Sequence, residues 1–109
     1  MSNYKKYLEY SWKYAKLYKI YESEVELYNN IRESKIKEYR NKYIELKYTY
    51  QQSNSMSYNI VHKSVTLKKQ YVYMNEAKKN YENIELIYNK LYDLVNSVCD
   101  KSHHDIHSI

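Results

Sequence analysis

Three sets of residues have types and spacings that could do chemistry. The first lies near the carboxyl end, where Cys99, His103 and His107 fall four residues apart. On a continuous helix they would share one face, and one thiolate with two imidazoles is a ligand set suited to zinc or another transition metal. The plainer reading is a polar tail over 102–109 whose histidines titrate near neutral pH. No metal or other cofactor is therefore assigned.

The second set is basic and aromatic. Lys5, Lys6, Lys13, Lys16 and Lys19 gather on one side of a helical projection, with Trp12, the single tryptophan, at its edge. Lysines can neutralise phosphates while an indole stacks on a base or settles at a membrane interface. A solvated polar face opposite a packed one would look the same. Arginine, the better fork for phosphates and base edges, occurs only as Arg32 and Arg40, which argues against sequence-specific reading of DNA or RNA.

The third set is the tyrosines, 17 of them against no Phe. They could stack bases, but their period is that of a helix–helix seam. Tyr7, Tyr14, Tyr21 and Tyr28 stand seven apart, interleaved with Tyr10, Leu17 and Ile31. Glu24 alone interrupts the stripe. It resumes, shifted by one residue, as Ile36, Tyr39, Tyr43, Leu46 and Tyr50. A second stripe runs through Leu67, Met74, Tyr81, Tyr88 and Val95, joined by Ala77, Ile84 and Leu91. Enzyme signatures are missing. The chain has no Gly-rich phosphate loop, nucleophile elbow or HExxH, and many of its glutamates sit three or four residues from a lysine, as exposed ion pairs do.

The elements that must position these residues follow from composition. With 109 residues the chain holds one domain at most, and it contains neither Gly nor Pro. Without them the usual punctuation of β-rich and loop-rich folds is gone, and helix is what remains. The expected fold is all-α: a helix over 3–50, a turn over 51–57 and a helix over 58–100, paired as an antiparallel hairpin or coiled coil within a domain of residues 1–101. The turn is placed at Gln51-Gln52-Ser53-Asn54-Ser55-Met56-Ser57 because such side chains compete with helical hydrogen bonds. Alternatively, Asn29-Asn30 breaks the first helix and makes a three-helix bundle, with Ser23 and Glu26 at capping-box spacing. A short hairpin over Tyr58–Leu67 is a further option, which would resemble prefoldin subunits in layout without sharing a motif. Leu17-Tyr18-Lys19 resembles the tripeptide of LYR proteins, small mitochondrial accessory factors. It has Lys in place of Arg, and the chain lacks the downstream Phe, so no assignment follows.

The formal charge is +5, and one cysteine rules out an internal disulfide and fits a reducing compartment. No signal peptide or transmembrane span is read, so an intracellular, organelle-interior or virion location is expected. Heavy use of Lys, Asn, Ile and Tyr suits an AT-rich genome, although the missing Phe does not. Two helices side by side bury one seam, too little for a self-sufficient core. The expected function is thus that of a non-enzymatic scaffold, assembly or structural subunit, meeting a protein partner or its own copy through the tyrosine-rich stripe. The alternatives are a basic protein that coats nucleic acid through its lysine face and a small inhibitor of a larger enzyme.

Overall fold

The computed structural model describes the backbone of residues 2–108 and the side chains of residues 2–97. It is all-α: α1 spans Asn3–Glu45, α2 Tyr50–Ile60 and α3 Val65–Ser108, with one turn of 3₁₀ helix at Val61–Lys63 between α2 and α3. Among the described residues there is no strand, so the hairpin over Tyr58–Leu67 is replaced by the end of α2, the 3₁₀ turn and the start of α3. Helix α1 also runs unbroken through Asn29-Asn30, whose side chains are exposed. An exposed Asn costs a helix only a few tenths of a kcal/mol, about as much as many residues it tolerates.

The expected turn at 51–57 is likewise corrected, because those residues lie inside α2. The reversal comes earlier, over 46–49. Lys47 takes the left-handed conformation at φ 75° and ends α1. Its N–H donates to the carbonyl of Ile44 (2.9 Å), and the N–H of Tyr48 reaches back to the carbonyl of Tyr43 (3.2 Å). These two bonds form a Schellman motif, normally built on glycine. The Tyr43 and Tyr48 rings meet edge to face at 5.8 Å, supplying the apolar contact that accompanies it. Thr49 then starts α2 with a capping box. Its Oγ1 accepts from the N–H of Gln52 (3.2 Å), and Gln52 Oε1 accepts from the N–H of Thr49 (3.1 Å). Ser64 does the same work for α3, its Oγ accepting from the N–H of Leu67 (3.3 Å).

Contacts divide the chain into two compact units, Met1–Ile20 with Lys78–Ile109, and Tyr21–Ala77. The second unit holds the apolar cluster of Ile36, Val61 and Leu67, against which Tyr28, Ile31 and Tyr39 pack. There α2 lies against α1 through both of the chain's arginines. The Arg40 guanidinium sits 5.4 Å over the Tyr50 ring and donates to Asn54 Oδ1 (3.3 Å), while Arg32 sits 5.5 Å over Tyr58. Ser53 and Ser57 are fully buried, and Ser57 Oγ donates to the carbonyl of Ser53 (2.6 Å). Small side chains four residues apart let α2 pack closely, which offsets their low helix propensity.

Helices α1 and α3 also meet in this unit around a polar pair. Gln70, only 6% exposed, donates through Nε2 to the carbonyl of Glu24 (3.0 Å) and to the Glu24 carboxylate. The one break in the first stripe is thus matched by one polar residue in the second. A partly buried polar pair in an apolar seam favours the register that satisfies it over registers that leave it unpaired.

Candidate interaction surface

In the unit formed by residues 1–20 and 78–97, the two stripes face each other as a ladder of rings. Tyr88 stacks on Tyr7 (5.4 Å, 21°) and on Tyr14 (5.4 Å, 9°). Tyr81 meets Tyr14 and Tyr18 edge-on at 6.3 and 5.2 Å, and Tyr92 lies 6.2 Å from Tyr7. The sequence numbers descend on α3 as they ascend on α1, so these segments run antiparallel. Offset-stacked and edge-to-face pairs at such distances add about 0.5–1.5 kcal/mol each to simple area burial.

The hydroxyls give a local reason for tyrosine at three of these positions. Tyr14 donates to Glu85 Oε2 (2.9 Å), and the Tyr7 and Tyr88 hydroxyls approach to 3.5 Å. Bonding to the Glu85 carboxylate, helped by partial burial, pushes the Tyr14 phenol up to about 12. The bond with Tyr88 raises Tyr7 in the same way.

The other seam residues are placed as follows. Tyr10, Leu17 and Tyr21 are half-buried on α1, and the Lys13 ammonium rests 4.8 Å over the Tyr10 ring. Tyr28 and Ile31 flank the cluster that contains Leu67. On α3, Met74 and Val95 are half-buried and Leu91 is buried. Much of the expected partner surface is therefore occupied within the chain itself. Leu46 and Tyr50 leave the first stripe, since α1 ends before them and both are exposed.

The basic set is split by the structure. Lys13 pairs with Glu9 (3.3 Å). Lys5, Lys6, Lys16 and Lys19 are exposed and make no ion pair among the described residues. Trp12 stands 80% exposed, and with Lys13, Ala15, Lys16 and Lys19 it lines a shallow concavity of about 480 Å³. Cys99, His103 and His107 lie outside the residues whose side chains are described. Among those that are, no group of three or more His, Cys, Asp or Glu side chains could hold a metal ion.

Sequence reasoning missed the arginine clamps on α2 and the Glu24–Gln70 pair. The spacing of Thr49 and Gln52, a capping box, is the signal that could have found the start of α2. Compared with protein-family models, curated proteins and solved structures, the chain matches none.

Proposed function

We propose that this chain is a non-enzymatic helical interaction protein, an assembly or structural subunit built on an antiparallel α1–α3 hairpin, that covers its outer faces with a protein partner or a second copy of itself. The observation that carries this reading is the inversion of its apolar surface. The buried apolar side chains among the described residues are Ile36, Val61, Leu67, Ala77 and Leu91. Large ones lie in water along both long helices, with Ile20 and Leu27 on α1 and Val65, Val72, Leu86 and Leu94 on α3.

The area agrees. The chain exposes 8607 Å², against about 6,500 Å² for a folded monomer of 13.5 kDa. The surplus, about 2,100 Å² on one chain, exceeds the roughly 800 Å² that each partner gives to a standard protein–protein interface. The carboxylates support a non-catalytic reading, since Glu9, Glu38 and Glu82 are held in helical ion pairs with Lys13, Lys35, Lys42 and Lys78. The nucleic-acid alternative is left with fewer cations, as both arginines lie over tyrosine rings and Lys13 is paired.

Light scattering and thermal unfolding over a range of concentrations test the proposal. A mass above one chain, and an unfolding temperature that rises with concentration, are expected if the second copy is the partner. A monomer whose unfolding temperature is independent of concentration, and which brings no stoichiometric partner from its native source, refutes it.

A further inference from the structure

We propose that the Trp12 face of α1 docks on the surface of an anionic phospholipid bilayer. Leu8, Trp12, Ala15 and Lys19 follow one another at steps of four, three and four residues, and so form one line along the helix. Lys5 and Lys16 flank that line. The line lies on the side of α1 away from Tyr7 and Tyr14, which are turned into the ring ladder. Nothing within the described chain covers it: Trp12 is 80% exposed, and Leu8 is 43% exposed.

The chemistry of this face is that of a bilayer interface. Indole is amphipathic and settles at headgroup depth, and Leu8 and Ala15 beside it supply the aliphatic surface that acyl chains solvate. Lys5, Lys16 and Lys19 have no acidic partner among the described residues, so their charge is available to lipid phosphates. Their long stems let the ammonium groups rise to the headgroups while the helix lies flat. The concavity beside Trp12, bounded by Lys16 and Lys19, offers room for part of a headgroup. Further along α1 the same face turns acidic at Glu22 and Glu26, which limits the docking patch to the first five turns or so.

Nucleic acid fits the face less well. A stacking platform needs successive aromatic side chains, and the neighbours of Trp12 along its line are aliphatic. The association is at the surface only, because no helix among the described residues is long and apolar enough to cross a membrane.

Because Trp12 is the only tryptophan, its fluorescence, excited where tyrosine does not absorb, reads this face alone. The full chain is titrated with vesicles of phosphatidylcholine containing phosphatidylglycerol, with pure phosphatidylcholine vesicles, and with single-stranded DNA. With the anionic vesicles the emission should shift to the blue, become quenchable by brominated acyl chains, and return toward its free position as salt is raised. Each lysine near an anionic surface contributes about five-fold to partitioning. The Lys16→Gln/Lys19→Gln protein should therefore bind roughly 30-fold more weakly, with unchanged helix content. Trp12→Ala, followed by co-sedimentation, should also bind more weakly while its unfolding temperature stays put, since the ring packs on little.

The proposal is overturned if anionic vesicles leave the emission unchanged at low salt. It is equally overturned if neutral vesicles bind as well as anionic ones, or if single-stranded DNA shifts the emission and vesicles do not. None of these outcomes alters the mass measured without lipid, so this inference and the proposed function stand or fall separately.

Discussion

Replacing Lys47 with glycine should stabilise the protein, although it removes a charged residue from a helical chain that has no glycine. Lys47 sits at φ 75°, where a Cβ atom crowds the following carbonyl. That conformation costs an ordinary residue about 1–2 kcal/mol. Glycine escapes the clash but loses more backbone freedom on folding, worth about 0.5–1 kcal/mol. The expected net gain is about 0.5–1 kcal/mol. For 109 residues the entropy of unfolding near the midpoint is about 0.23 kcal/mol per degree, so the midpoint should rise by about 2–4 °C. Circular dichroism during heating at fixed protein concentration measures it. Lys47→Asn should fall between wild type and Lys47→Gly, because asparagine tolerates the left-handed region. Lys47→Ala, which keeps the Cβ, should lie within about 0.5 kcal/mol of wild type. If glycine and alanine behave alike, or if glycine lowers the midpoint, then Lys47 does not end α1 as described.

Three further outcomes follow from the contacts. Thr49→Ala removes the capping box and should cost about 1 kcal/mol in urea unfolding, with faster hydrogen exchange across 50–60; unchanged exchange there would count against the cap. Arg40→Lys keeps the charge but loses the planar stack on Tyr50 and the guanidinium hydrogen bond to Asn54, so it should loosen α2 by about 0.5–1 kcal/mol, read by the same exchange experiment. Tyr14→Phe should cost about 1 kcal/mol near neutral pH. Because the folded Tyr14 phenol is raised to about 12, its contribution is complete below the ordinary tyrosine range and is lost as pH climbs through the folded value. Spectrophotometric titration of Tyr14→Phe should lose amplitude from the latest-titrating part of the curve, and loss from the early part would contradict the bond to Glu85.

Much of this architecture can be read from spacing. Tyr7, Tyr14, Tyr21 and Tyr28 on α1 all turn inward, as do Leu67, Met74, Tyr81, Tyr88 and Val95 on α3, because a heptad stripe has one low-energy way to leave water. The connection is a different matter. Propensity places the turn where Ser, Asn and Gln cluster, yet α2 forms there because Thr49 caps it, Ser53 and Ser57 are small enough to be buried, and two arginines hold it from α1. Each of those causes is tertiary or depends on which residue is the cap. The actual reversal at Lys47 carries no composition signal, since the residue that normally marks it is absent from the chain. At the candidate site, the lysines were legible as a group. The pairing of Lys13 with Glu9 and the exposure of the Trp12 line emerge only once α3 takes the tyrosine side of α1.

The ring ladder between the two ends of the chain bears on how the molecule is made. Arg40 reaches Asn54 across 14 positions, Gln70 reaches Glu24 across 46, Tyr14 reaches Glu85 across 71 and Tyr7 reaches Tyr88 across 81. Contacts close to the connection need the shortest loops, so pairing is expected to begin there and spread outward. On a ribosome adding about 5–20 residues per second, the first twenty residues wait several seconds before the strip that receives them exists. For that interval Tyr7 and Tyr14 have no ladder to join, and the nascent amino-terminal segment is free to find another surface before its own chain claims it.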